Sequence, residues 1–419
     1  MPEIAVPVSG GAAGIRFAVL PPLSVYVHVP WCVRKCPYCD FNSHEVKEAL
    51  PERDYVAALT TDLESALPQV WGRKVYTVFF GGGTPSLLSA RAIDDVLAAI
   101  RARLPVAPDA EVTLEANPGT FEAEKFAAYR AAGVNRLSIG IQSFEPRQLR
   151  ALGRIHDDRE ARRAIEIAQA SFDNFNLDVM YGLPHQTLAE ARTDIETAAA
   201  CGAPHLSAYH LAIEPNTYFH RFPPPLPADD VAADMQEMIE GVLASQGYRN
   251  YETSAFARPG SECRHNLNYW RFGDYLGIGA GAHSKISLPN RVLREARVRH
   301  PRAYMAAVGR GRHVDVAQEV VPRELPFEFV MNALRLSSGF PLRLFEERTG
   351  LPLAVVLPGL DVAEARGFIV RDHERAVPTP LGRRFLNDAL QIFLASPEPS
   401  TRPSPSRATL PSVSRCVRD

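Results

Sequence analysis

Residues Ser24 to Phe41 read SVYVHVPWCVRKCPYCDF, and the reading of this stretch decides the architecture. Val25, Tyr26, Val27, His28 and Val29 form a β-branched and aromatic run that predicts a strand, and Pro30 stops it because proline cannot donate to a sheet ladder. Cys32, Cys36 and Cys39 therefore arrive in the loop at the strand's C-terminal end. Their C-x-x-x-C-x-x-C spacing lets three thiolates converge on one inorganic centre, and Pro37 keeps the loop from becoming regular helix. Two centres suit three soft ligands. A four-iron cluster would keep one iron open to a small molecule, whereas a structural zinc ion would close its fourth position, for which His44 is the nearest donor.

Downstream, strand and helix patterns alternate. Strands are predicted over Val75 to Phe80, Glu111 to Glu115, Arg136 to Ile141, Asn174 to Met180 and His205 to Leu211, with amphipathic helices between them. Six strand–helix units with short loops predict an α/β fold, a parallel sheet curved into a partial (β/α)6 TIM-like barrel over residues 21–250. Chemistry in such folds gathers at the C-terminal ends of the strands. The cysteines, the glycine triplet Gly81 to Gly83 with Thr84, Glu115, Gln142, and Asp178 with Gly182 all fall on that edge.

The pattern changes over residues 251–320, where His265, Asn266, Asn268, Tyr269 and Trp270 precede a glycine run through Gly277, Gly279 and Gly281 to His283. Residues 321–395 predict three helices, a hairpin and a last helix over Gly382 to Phe393, a small winged-helix-like domain. Residues 1–20 are expected to be an irregular leader, and the Pro-, Ser- and Arg-rich residues 396–419 a disordered, solvated tail.

Composition removes several function classes. A net charge of −2 over 419 residues offers no global case for binding nucleic acid or an anionic membrane. No basic recognition helix marks the C-terminal module for DNA. No apolar run approaches the roughly 18 residues of a transmembrane helix, and Met1 to Leu20 lacks the order of a signal peptide, so a cytoplasmic protein is expected. Six cysteines do not make a disulfide framework in a chain this long; Cys201, Cys263 and Cys416 are isolated and read as ordinary thiols.

Together the motifs YVHVPWC, FFGGGTPSLL, LEANPGT, SIGIQSF, DVMYGLPHQT and HNLNYW resemble the radical S-adenosylmethionine superfamily, in the branch that holds the oxygen-independent coproporphyrinogen III oxidases and the HemW heme chaperones. The resemblance spans roughly residues 21 to 390. It implies a [4Fe-4S] cluster on Cys32, Cys36 and Cys39, with S-adenosylmethionine lined by Tyr26, Tyr38, Gly82, Gly83, Thr84, Glu115, Gln142, Arg154 and Asp178. Taken singly, these residues have plainer roles open to them. The glycines suit a tight turn, Glu115 and Asp178 helix caps, Arg154 a surface ion pair, and the tyrosines packing.

The branch is separated at one position. The oxidases carry a fourth cysteine two residues beyond the third, where this chain has Phe41, and they have a longer leader than the 31 residues ahead of Cys32. CDFNSH, HNLNYW and GIGAGAHS instead look like the heme chaperones. That resemblance implies heme as ligand, a heme-acceptor protein such as a membrane respiratory enzyme, and a cluster-dependent homodimer. Oxidative decarboxylation of coproporphyrinogen III is the alternative. Candidate heme-binding residues are His265, Tyr269, Trp270 and His283; the first three also suit a hydrogen-bonded structural corner, and His283 equally suits the S-adenosylmethionine pocket. His28, His44 and His210 lie near the cluster edge as supporting groups.

Overall fold

The cysteine-bearing strand β1 (Leu23–Val29) has six of its seven residues buried and lies between parallel neighbours on both sides. Such a strand reads as a nearly continuous apolar run because both of its faces are covered. A computed structural model describes residues 14–120 and 122–394. After β1, β2 (Val75–Gly82), β3 (Val106–Ala116), β4 (Arg136–Gln142), β5 (Phe175–Tyr181) and β6 (His205–His210) follow in chain order, each parallel to the one before. Helices fill the connections. Their starts are set locally: Ser89 accepts from Ala92 N, and Asp157 with Glu160 and Thr187 with Glu190 close capping boxes.

Antiparallel strands extend both edges. β7 (Arg249–Glu252) and β8 (Ala255–Ala257) add beside β6. On the other side a seventh parallel strand, β9 (Asp274–Ile278), pairs with β1, and β10 (His283–Leu288), β11 (Arg291–Arg297) and β12 (Val314–Glu319) continue antiparallel from it. The order is β12-β11-β10-β9-β1-β2-β3-β4-β5-β6-β8-β7, a partial TIM-like barrel whose two edges do not pair. The six-strand expectation missed β9 because the glycine run that begins within it hides the strand pattern. Gly277 is needed within it, since a Cβ there would lie 2.1 Å from His283 O, and Gly279 just beyond its end has φ +105°.

Buried carboxylates fasten this extension. Asp62, on the helix Glu52–Val70, accepts from Arg297 Nε at 2.9 Å, Tyr304 OH at 2.8 Å and Gly279 N at 3.1 Å, and lies 3.1 Å from His313 Nε2. Asp274 accepts from Lys285 Nζ at 3.0 Å and Arg73 at 2.8 Å. Each ion is matched by several partners, which buried charge requires.

A second core gathers Phe329, Phe340 and Phe345 with Phe272 and Val292 of the barrel side and Ile15 of the expected leader. Around it lie the helices Leu325–Ala333, Arg343–Thr349 and Leu357–Ala365 and a sheet of β13 (Phe340–Pro341), β14 (Ile369–Arg371) and β15 (Arg375–Pro378) in the order β13-β15-β14. The helix expected over 382–393 is instead two, Pro380–Arg384 and Leu386–Gln391, broken at Phe385. The tail over 396–419 lies outside the described residues. Among the described residues no helix is long and apolar enough to cross a membrane.

Candidate functional site

The ends of β1 and β2 meet where the cysteine loop begins. Gly83 N donates to Val29 O at 2.7 Å, and Thr84 N donates to Trp31 O at 2.7 Å. Side chains have no room there: a Cβ on Gly82 would lie 2.4 Å from the His28 ring, and one on Gly83 would lie 2.5 Å from Trp31 O. Gly82 also has φ +111°. The triplet is therefore more than a turn, since it holds two strand ends and the loop base in contact.

Cys32, Cys36 and Cys39 are free, half-buried thiols. Burial raises the pKa of Cys32 and of Cys39. Donors already point at the sulfurs: Thr84 Oγ1 lies 3.5 Å from Cys32 Sγ, and Arg154 Nη1 lies 3.7 Å from Cys36 Sγ. Arg154 is no surface ion-pair residue. Its other Nη donates to Asn117 Oδ1 at 2.5 Å and Gly140 O at 2.7 Å, so a cation is fixed beside the thiols, as a polyanionic thiolate centre needs. His44 packs beside His300, with ring centroids 5.2 Å apart, and burial first, then His300, Lys35 and Arg299, lowers its pKa. Among the described residues no group of three or more His, Cys, Asp or Glu is arranged to hold a metal ion.

One cavity of about 350 Å³ opens beneath the thiols. Its wall takes in the three cysteines, Tyr38, Gly82, Gly83, Thr84, Glu115, Gln142, Arg154 and Asp178. Glu115 is half-buried at the cavity wall, accepts from Gly82 N at 3.1 Å and has its pKa pushed up to about 8, by burial first and then by Asp178. Burial likewise raises Asp178, against hydrogen bonds from Asn176 and Ser138. Neither carboxyl caps a helix. Gln142 has φ 69° where the β4–β5 register shifts, an irregularity of the kind that re-aims a side chain. Tyr26 is set apart: it bonds His28 Nδ1 at 3.1 Å and lines a neighbouring cavity that shares Phe41, Gly82 and Glu115 with the first.

Several wall residues escaped the sequence reading: Arg136, Ser138, Asn176, His205 and Ser207. A period-two signal marks them. Ser138 alternates with Leu137 and Ile139, Asn176 and Asp178 with Leu177 and Val179, and Ser207 with Leu206 and Ala208, so one face of each strand is apolar against the helices and the other is polar and buried.

Of the HNLNYW residues, His265 and Tyr269 meet edge to face with ring centroids 5.0 Å apart. His265 is 2% exposed, lies 2.7 Å from Thr77 Oγ1 through Nδ1 and stacks on Phe79, and burial takes its pKa down to about 3. Tyr269 packs on Tyr275 and faces the neighbouring cavity, while Trp270 lies under Arg335 of the C-terminal module. Glu111 accepts from His265 N, Arg264 N and Cys263 Sγ, which makes the segment a hydrogen-bonded corner. Exposed His283 lines the neighbouring cavity. His28 is held by Tyr26 and Asn42 O, and His210 packs on Tyr181.

Fold and cysteine edge together define a radical S-adenosylmethionine protein: residues 26–198 match the radical SAM superfamily, whose cofactors are a [4Fe-4S] cluster and S-adenosylmethionine, and residues 320–385 match the HemN C-terminal domain. The solved structure of coproporphyrinogen III oxidase (HemN) from Escherichia coli shares this fold, with a TM-score of 0.76, 23% identity, and coverage of 89% of this chain and 90% of that one. Heme chaperone HemW of Escherichia coli is 51% identical over 378 residues, covering 90% of this chain and 99% of the relative. HemW of Haemophilus influenzae is 46% identical, covering 90% and 98%, and that of Bacillus subtilis 34% identical, covering 88% and 99%. The chain belongs to the HemW family.

Proposed function

We propose that the protein is a heme chaperone, which binds heme and passes it to acceptor proteins, and that it carries a [4Fe-4S] cluster on Cys32, Cys36 and Cys39 with exchangeable S-adenosylmethionine beside it. The observation that carries the reading is the single cavity joining the three free thiols to the glycine triplet, Glu115 and Arg154. In its bound state the cluster supplies an electron and one open iron position for the amino and carboxylate groups of S-adenosylmethionine. Each protein group has a part. Arg154 offsets thiolate charge, Gly82 and Gly83 admit the ligand's backbone-like end, and Glu115 faces its cationic groups.

The reading extends to a homodimer that forms once the cluster is in place, to a cytoplasmic location, and to acceptors such as membrane respiratory enzymes. Coproporphyrinogen oxidation is the competing activity, and Phe41 in place of a fourth cysteine speaks against it. Anaerobic incubation of the reconstituted protein with reductant, S-adenosylmethionine and coproporphyrinogen III, with hemin binding followed in parallel, decides between them. Saturable hemin binding with no new tetrapyrrole is expected. Protoporphyrinogen formed over many turnovers would overturn the chaperone reading. For the cluster itself, a triple Cys→Ser variant at 32, 36 and 39 is expected to lose iron, sulfide and brown absorbance.

A further inference from the structure

A groove of about 600 Å³ runs between the cysteine loop and the antiparallel extension, on the far side of Gly82 and Glu115 from the cluster cavity. Its floor follows from strand register. His283 on β10 stands opposite Ala296 on β11, and Ala296 stands opposite Val316 on β12, so the three side chains form one row across the sheet with the smallest in the middle. The result is a shallow, level bed. Tyr26 and Tyr275 line it, and Phe41 stands at its rim, 60% exposed, while Val316 is 48% exposed. Exposed apolar groups around a concave site of this size mark a ligand surface.

Building on the heme-chaperone reading above, we infer that this groove is the heme site, with His283 as the axial ligand of ferric heme and Arg299 as the partner of a propionate. Comparison of the histidines selects the ligand. His28 has both ring nitrogens engaged, by Tyr26 OH at 3.1 Å and by Asn42 O at 2.8 Å. His265 has Nδ1 against Thr77, and its unpartnered Nε2 is sealed inside the barrel wall, where a macrocycle has no room. His283 is exposed on the groove floor. Partial desolvation at the floor, with Arg299 and Arg294 nearby, lowers its pKa and so favours the neutral imidazole that coordinates iron. Arg299 is exposed at the same groove, and Asp40 and Asp315 also line it. Two carboxylates at the groove repel the propionates and turn them toward Arg299.

Phe41 gains a role. The residue that stands in place of the oxidases' fourth cysteine is an apolar rim, two positions beyond Cys39, shared by the cluster cavity and the heme groove. Heme in this groove would therefore lie against the loop that carries the cluster.

Hemin titration into the full-length protein tests the assignment, with absorbance and electron paramagnetic resonance as readouts. His283→Ala is expected to weaken binding at least about tenfold and to shift the Soret band, His283→Gly to be rescued by added imidazole, and Arg299→Gln to weaken binding several-fold. His265→Ala should leave the heme spectrum unchanged. Iron and sulfide content serves as the control that each variant is folded. A wild-type spectrum and affinity in both His283→Ala and Arg299→Gln would overturn the groove while leaving heme binding standing. Absence of saturable hemin binding by the wild-type protein would overturn the chaperone reading itself, and the groove with it.

Discussion

Two carboxyl groups away from bulk water, Asp62 in the knot that fastens the antiparallel extension and Glu115 in the wall of the hollow under the thiols, have had opposite things done to them. Burial alone would raise both. Around Asp62 that effect is outweighed by His313, Arg297 and Tyr304, and its pKa is held below the usual carboxylate value. Around Glu115 the structure offers one backbone N–H and a second carboxyl, and the pKa rises to about 8. The first arrangement satisfies a charge so that strands stay attached. The second leaves a charge unsatisfied so that a cation has a reason to enter.

The largest expected effect lies in the knot. Asp62→Ala leaves Arg297 buried without its main partner, and removal of one member of such a pair costs about 3–5 kcal/mol. Urea unfolding monitored by circular dichroism measures it. A loss under about 1 kcal/mol would mean that Glu295, which pairs with Arg297 at 2.8 Å, suffices alone. The sign with pH is fixed by the lowered pKa: the Asp62 contribution is present above its unfolded value of 3.8 and is lost as pH falls further.

Glu115 should behave in the reverse sense. Its raised pKa means that the folded protein keeps a proton the unfolded chain releases, so stability falls as pH rises from about 4.5 to about 8. Glu115→Gln is expected to remove that fall and to stabilise the ligand-free protein at pH 9 by on the order of a few kcal/mol. The same exchange should weaken S-adenosylmethionine binding. In the wild type, a cation binding at pH 7 should expel the proton, and calorimetry in buffers of different ionisation enthalpy will register its release. No buffer dependence would show that Glu115 does not meet the ligand's positive groups.

The two regions also differed in how far they could be read from residues alone. The hollow sits on the parallel strands, whose apolar runs and intervening capped helices announce themselves locally, so the cysteines, the glycine triplet, Glu115, Gln142 and Asp178 are legible on one edge from the sequence pattern, whereas Arg154 comes only from the family resemblance. The knot was invisible. Asp62 meets Arg297 and Tyr304 across more than 230 positions of sequence, and no local pattern on an amphipathic helix announces that its aspartate will be buried. β9 was missed because Gly277, which lets β10 approach it, also weakens strand propensity and runs into the glycines just beyond. His265 was singled out by composition alone. A histidine beside aromatics has the composition of a heme pocket, and only the fold shows that Thr77, Phe79 and Glu111 enclose it.

A gentler intervention lies one step into the hollow. Ser138 Oγ donates to Asp178 at 3.2 Å and accepts from Asn176 at 2.8 Å, so it relieves Asp178 slightly without making it a paired ion like Asp62. Thr77 does comparable work for His265. Ser138→Ala removes one hydrogen bond to a charged group, and the expected cost is about 1 kcal/mol near pH 7, shrinking at low pH where Asp178 is protonated in any case. A loss that stays constant with pH would identify Ser138 as packing rather than as a carboxylate partner. Because Asp178 is itself a cause of the raised pKa of Glu115, a better protonated Asp178 should ease Glu115 downward. The buffer-dependent proton release on ligand binding should then decrease in Ser138→Ala, a small change that only electrostatic coupling between the two carboxyls would produce.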